Sequence, residues 1–432
     1  MMSDWKSIPL EVAPLEIIDG DRGKNYPSRQ DQFEKGHCLF LNAGNVTSVG
    51  FNFTNNVFIT EERDNLLRQG KLKRNDIVLT TRGTVGNVAY YDKKIPFEHL
   101  RINSGMVIIR TNKNELDSRF AYYFLISKLF SNQVQMLRTG SAQPQLPIKD
   151  INRIKIPLPP LPTQERIADI LGTLDDKIEI NRQMNHTLEA MARAIFKSWF
   201  VDFDPVYAKM EGRDYPLPAE VMDLFPDELV ESELGLIPKG WEVKQINDVV
   251  ETVGGATPST KNPDYWENGI HNFATPKDLS GLSSPILITT DRKVTDAGLL
   301  KISSRLLNRG TLLMSSRAPV GYLSITDIPV CINQGFIAMK CNRILPNYYM
   351  LNWAKQNLDE IINRASGTTF KEISKRNFRL IDIIEPIKEV VNSYYELVKP
   401  IYDKITANVR ENETLMKIRD TLLPKLISGE VE

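Results

Sequence analysis

The chain has 432 residues, three cysteines and four histidines, and its 54 Lys+Arg are balanced by 54 Asp+Glu. This length predicts two or three domains, and the absence of any run of about 18 apolar residues or of an apolar signal core at the start predicts a cytoplasmic protein with no membrane span. Cys38, Cys331 and Cys341 form no C-x-x-C, and His37, His99, His186 and His271 are scattered, which excludes a disulfide framework and a structural zinc.

Residues 1–155 hold 22 Lys+Arg against 16 Asp+Glu, a balance of +6. Within them the runs NDIVLTT (75–81) and GMVIIR (105–110) predict strands and SRFAYYFLISKLF (118–130) a helix, so the segment reads as α+β. Residues 156–201 open with the proline-rich IPLPPLP (156–162), after which the sequence predicts a long helix with a heptad. One column holds Ile167, Leu174, Leu188 and Ile195, the next Leu171, Ile178, Ala192 and Trp199. Residues 202–237 form an acidic connector, with 2 basic against 10 acidic side chains. Residues 238–380 return to +6, 18 against 12, with a strand predicted at GTLLMSS (310–316) and a helix at PNYYMLNWAKQNL (346–358). Residues 381–432 predict a second long helix and a tail. Its columns are Tyr394, Ile401, Leu415 and Leu422, then Val398, Ile405 and Leu426, with Arg419 a polar exception and Pro424 expected to interrupt the helix.

The second half repeats the first. LTTRGTVGNVAY (79–90) aligns with MSSRAPVGYLSI (314–325), Trp5 with Trp241, GHCLFLNAGN (36–45) with GIHNFATPKD (269–278), INSG (102–105) with INQG (332–335), and RTGSAQPQL (138–146) with ASGTTFKEI (365–373). A match that keeps returning in order marks an internal duplication. In both long helices the central seam positions are asparagine, Asn181 and Asn185, then Asn408 and Asn412. A buried amide in a seam fixes register and partner. If the helices pair, the amide layers meet in a parallel or an antiparallel arrangement, and the pattern leaves both open.

Two basic bodies separated by a stiff helix of about 37 residues, roughly 55 Å long, suit a ligand with two sites at fixed separation, and duplex DNA offers this over about 16 base pairs. Arg82 and Arg317, flanked by Thr80, Thr81, Ser315 and Ser316, are candidates to read guanine or hold phosphate. Asn103 with Ser104, and Asn333 with Gln334, carry amides and hydroxyls for bases or sugars. The glycine-containing loops add Arg138, Ser141 and Gln143, and in the second copy Arg364, Thr368, Thr369 and Lys371. The bland alternatives are an ordinary strand and turn with a solvated arginine, Asn-x-Gly turn residues, and heptads that join a different protein, as in a non-DNA adaptor. An enzyme reading finds little. NPDY (262–265) approaches an N-P-P-Y methyltransferase motif, but no glycine-rich cofactor loop precedes it. No P-loop, metal cluster or nucleophile signature is present, and PDELVESE (226–233) lacks a nuclease lysine.

LPPLPTQERIADILGTLDDKIEINRQMNHTLEAMARAIFKSWFVDFDPV (158–206), SELGLIPKGWEV (232–243) and RDTLLPKLISGE (419–430) together resemble the specificity subunits of type I restriction-modification systems, over essentially the whole chain. The resemblance implies two α+β target-recognition domains, 1–155 and 238–380, separated by two long helices packed as an antiparallel coiled coil that sets an unread gap in a bipartite target. It also implies a chain without catalysis or cofactor of its own. The partners would be double-stranded DNA, two methylation subunits and restriction/motor subunits, with S-adenosylmethionine, ATP and Mg in those partners. Target-recognition domains vary within this family, so no base-reading residue transfers by motif.

Overall fold

The computed structural model describes residues 5–140, 143–367 and 371–431. The chain divides into two compact units, one of Met1–Lys177 with Thr414–Glu432 and one of Ile178–Glu413.

In the first unit four antiparallel strands run in the order Leu15–Asp19, Met106–Thr111, Ile77–Thr80, Val88–Tyr90. Side chains alternate across a strand. Val107 and Ile109 therefore pack with Ile77 and Leu79 on one face, toward Phe120 and Phe124, while Met106 and Ile108 join Val78, Leu39 and Leu100 on the other. Cover on both faces explains why MVII reads as an unbroken apolar run. The second layer is a small sheet of Phe58–Ile59, Cys38–Leu41 and Leu100–Ile102, the last two parallel. The helix expected over 118–130 is two helices, Ser118–Ile126 and Lys128–Leu137. Ser127 is extended between them (φ −77°, ψ 161°), and its hydroxyl caps the second by accepting the Phe130 N–H at 3.3 Å.

The second unit repeats this plan with one added edge strand: Glu251–Gly254, Phe336–Lys340, Leu312–Ser316, Val320–Thr326, Ile286–Leu287. Its small sheet is Arg292–Val294, His271–Ala274 and Cys331–Ile332, again with one parallel pair. Register repeats as well. Met106 lies opposite Thr80 and Phe336 opposite Ser315. The acidic stretch 202–237 is folded, with a helix at Asp204–Glu211 and a hairpin of Leu229–Ser232 with Gly235–Pro238. Its Phe225 meets the edge of Trp199 at 5.1 Å between ring centroids, and Phe203 meets Trp241 at 5.7 Å.

The long helices are Leu161–Phe200, 40 residues, and Lys388–Ser428, 41 residues, about 60 Å each at 1.5 Å per residue. Pro424 does not interrupt the second helix, nor does Pro400 within it. Both prolines lie on its exposed side, where the carbonyl each leaves unbonded can turn to solvent. The helices pack antiparallel. In the second unit Asn181 Nδ2 donates to Asn412 Oδ1 at 2.9 Å and to Glu411 Oε2 at 2.8 Å, and Asn408 Nδ2 donates to Asn185 Oδ1 at 2.8 Å. Residue numbers thus rise on one helix as they fall on the other. In the first unit Arg419 Nη1 reaches Asp175 Oδ1 at 2.8 Å, and the Tyr123 hydroxyl donates to Asp175 Oδ2 at 2.8 Å. The polar exception in the heptad therefore ties both helices to the recognition domain.

All four asparagines are buried. Asn408→Leu strands the Asn185 amide and is expected to destabilise the chain by about 1–3 kcal/mol, whereas Asn185→Leu with Asn408→Leu removes both polar groups and costs less. Thermal melts of the single and double variants check this ordering.

Candidate nucleic-acid interface

In each unit the repeated motif converges on one surface made of three loops. In the first unit, strand Ile77–Thr80 opens into the loop 81–87. The buried Thr80 hydroxyl closes that loop by donating to the Thr84 carbonyl and accepting the Asn87 N–H at 2.9 Å. Gly86 sits at φ 95°, as the tight return requires. The turn Asn103–Gly105 lies alongside. Asn103 Oδ1 accepts the Gly105 N–H at 2.9 Å, and the Gly105 carbonyl accepts Thr81 N–H at 2.8 Å and Arg82 N–H at 3.2 Å. The third loop is pinned at its base, with Thr139 and Gln145 exchanging backbone hydrogen bonds at 2.9 Å and Leu146 N–H donating to Thr81 O at 2.9 Å.

The second unit stitches the same places. Ser315 Oγ donates to Pro319 O at 2.7 Å and accepts Tyr322 N–H at 2.8 Å. Asn333 Oδ1 accepts Gly335 N–H at 2.9 Å, and Gly335 O accepts Ser316 N–H at 2.8 Å. Ser366 and Glu372 exchange backbone bonds at 3.0 and 2.8 Å, and Ile373 N–H donates to Ser316 O at 3.0 Å. Gly321 matches Gly86 at φ 104°.

This geometry sorts the sequence candidates and corrects several. Thr80 and Ser315 are fully buried, Thr81 and Ser316 nearly so; the hydroxyls of Thr80 and Ser315 are spent on closing loops, and Thr81 and Ser316 join the loops through their backbone N–H and carbonyl groups. The side-chain oxygens of Asn103 and Asn333 each accept a hydrogen bond that holds their own turn, so the amide N–H groups are what these residues chiefly offer a ligand. Arg364 is turned away, with Nε on Glu360 at 2.6 Å and Nη1 on the Leu380 carbonyl at 3.1 Å. Arg317 is half-buried, its Nη1 3.8 Å from Glu372 Oε2. Arg82, Arg138, Gln143, Gln334 and Lys371 are exposed, Arg138 as the C-cap of the helix Lys128–Leu137 just before the base of the third loop. Ser104 is half-buried, its N–H 3.5 Å from the Tyr26 hydroxyl. Ser141, Thr368 and Thr369 lie outside the described residues. Asn262 of NPDY caps a short turn by accepting the Asp264 N–H at 3.1 Å, the work of an ordinary cap.

Sequence reading missed Asp19, Arg22 and Thr257. Arg22 borders a cavity of about 190 Å³ shared with Asp19, Arg82 and Gln145. Its loop is fixed from behind by Asp21, which accepts N–H groups from Gly23 and Arg68 at 2.7 Å each. Burial alone would raise the Asp21 carboxyl, but those N–H donors and the Arg68 guanidinium outweigh it and hold its pKa at about 2.

Comparison with known proteins now identifies the scaffold. The model of the "Type I restriction modification DNA specificity domain" matches twice, at residues 12–190 and 238–416. The chain belongs to this family. It is 28% identical to the type I restriction enzyme HindI specificity subunit of Haemophilus influenzae, with all of both chains covered. It is 27% identical to the MjaIX specificity subunit of Methanocaldococcus jannaschii, over 82% of this chain and 77% of that one. The crystal structure of the type I system S subunit from M. genitalium shares the fold at a TM-score of 0.57 and 16% identity, covering 99% of this chain and 96% of that one. The two matched spans each take in one recognition unit and part of the following long helix, so the family repeat and the internal repeat coincide.

Two outcomes are expected of the specificity fold. Thr80→Val keeps the buried shape but removes the loop-closing hydroxyl, and should lower stability by about 1–2 kcal/mol, against less than about 0.5 for Arg82→Ala at the exposed tip; denaturant titration separates them. The depressed Asp21 carboxyl contributes stability that is present above the ordinary aspartate pKa of 3.8 and is lost as pH falls toward about 2. The melting difference between wild type and Asp21→Asn should therefore be greatest above pH 4 and close on acidification.

Proposed function

We propose that this chain is the sequence-reading subunit of a type I restriction-modification complex, in which each recognition unit reads one half of a bipartite double-stranded DNA target. The observation that carries this reading is the duplication, on two basic bodies each joined to a helix of about 60 Å, of one set of three loops pinned at their bases. Backbone hydrogen bonds fix the loop bases while Arg82, Arg138, Gln334 and Lys371 stay exposed. A preorganised loop with free donors is what readout of base edges demands, and the net +6 of each body supplies the attraction for phosphate. The asparagine layers set the register of the helices and through it the length of the unread gap. The chain contributes recognition and assembly. Two methylation subunits using S-adenosylmethionine modify adenine, and restriction/motor subunits driven by ATP with Mg join them.

The test is the adenine methylation pattern, read by single-molecule sequencing, of cells expressing the complete operon with and without this chain. A split motif of fixed gap that vanishes with the chain is the expected result. A pattern that is unchanged while the partner subunits remain active overturns the reading in favour of a protein-collecting adaptor.

A further inference from the structure

Strand register brings together two positions that the sequence repeat does not align. Val107 lies opposite Asp19, and Ile337 opposite Gly254. Val107 follows Met106 as Ile337 follows Phe336, so Gly20 matches Gly255 and Arg22 matches Thr257. The glycines give an independent check. A Cβ on Gly20 would stand 2.3 Å from the Asn103 carbonyl oxygen, and one on Gly255 would stand 2.5 Å from that of Asn333. Both copies thus need glycine where this strand end passes under the Asn-x-Gly turn. Two residues later, both copies touch the middle residue of that turn. Arg22 Nη2 donates to the Ser104 carbonyl at 3.4 Å, and the Thr257 hydroxyl donates to Gln334 Oε1 at 2.5 Å.

We propose that this matched position is a specificity-determining pair in each unit, with Arg22 reading guanine in one half-site and Gln334, oriented by Thr257, reading adenine in the other. The inference rests on the DNA-reading function proposed above and names residues within it. Arg22 is half-exposed, and its Nη2 is held 3.1 Å from both oxygens of Asp19. Its Nε and Nη1 have no partner among the described residues. A guanidinium offers donors only, which suits the N7 and O6 acceptors of guanine and is mismatched to the N6 amino group of adenine. Asp19 in front and Asp21 behind restrict both the side chain and its loop, so little freedom is lost on binding. In the second unit the hydroxyl of Thr257 fixes which end of the Gln334 amide faces inward. The Nε2 donor and the remaining lone pair of Oε1 then match N7 and the N6 amino group of adenine. Thr257 is a positioning residue that acts through Gln334.

The experiment uses the methyltransferase complex assembled with the full chain, acting on a DNA library in which both half-sites are randomised, with modified adenines read by single-molecule sequencing. Arg22→Gln should change the preference at one base of one half-site by about tenfold or more, and Gln334→Arg should move one base of the other half-site toward guanine by a similar factor. Thr257→Val should blur that same base, and Thr257→Ser, which keeps the hydroxyl, should restore it. Melting curves on each variant separate lost recognition from lost fold. Folded variants that lose modification equally at every base overturn the pairs as readers and leave them as phosphate contacts. Variants that keep the wild-type motif overturn the pairs while the broader function stands, whereas a wild-type library with no split motif overturns that function and the pairs together.

Discussion

The paired amides in the helical seam are the constraint on which the second unit is built. An amide taken from water without a partner loses several kcal/mol in an apolar setting, so Asn181 and Asn185 admit only registers in which other amides face them. Asn412 and Asn408 do so, and one residue of slip would break both amide pairs and set Asn185 against Ala407 or Val409. Leucine at these positions would bind the helices as well and choose among registers less strictly. The recognition domain is then fastened to the chosen register. Lys355 donates to Glu189 at 2.8 Å, and the buried Asn352 bonds the hydroxyls of Tyr394 and Tyr402 on the second helix. Helix register thereby becomes domain position within the unit.

The same economy of polar groups separates scaffold from reader in the loops. The hydroxyls of Thr80 and Ser315 and the amide oxygens of Asn103 and Asn333 are consumed by backbone partners. They recur in both copies because both copies need the same turns closed. Side chains beyond those closures are not needed to close a turn, and there the copies diverge: Gly83 against Ala318, Ser104 against Gln334, Arg22 against Thr257. Similarity at the buried and turn-closing residues therefore marks the support, and difference at the exposed ones marks the surface free to specify.

That inversion explains what was legible in the sequence. Strands at 77–80 and 106–111, the long helices, their asparagine layers and the duplication were all readable, since each is a local pattern or a repeat of one. The repeat also drew attention to Thr80, Thr81, Ser315 and Ser316, whose recurrence came from burial. Arg22 and Thr257 carried no such signal, because a residue that differs between copies cannot be found by matching them; only the pairing of Asp19 with Val107 and of Gly254 with Ile337 aligns them. Helix direction was likewise illegible from heptads that place asparagine near the middle of the seam. The misreading at Pro424 came from judging proline by its missing N–H without knowing that its side of the helix faces solvent.

The two units also support their matched loops by different means. In the first, Arg101 is buried and donates Nε to Asp64 Oδ1 at 2.5 Å and Nη1 to the Gln69 carbonyl at 2.8 Å. That fixes the segment 64–69, whose Arg68 N–H holds Asp21 and whose Gln69 amide reaches the Gly20 carbonyl at 3.4 Å. In the second unit Cys331 stands where Arg101 does, each beside the matching strand residue, Phe273 and Phe40, and it is fully buried without charge. A buried ion pair is seldom more stable than apolar packing of similar volume, but it is far more demanding of geometry. The first unit thus has a charged relay from its core to the Arg22 loop, and the second holds the Thr257 segment without one, through close backbone packing at Gly255 and the Ala256 N–H donated to the Ile332 carbonyl at 3.2 Å. Removing Asp64 would leave Arg101 buried without its carboxylate and would disturb a loop in which it has no atom, an effect for which the Cys331 site in the second unit has no counterpart.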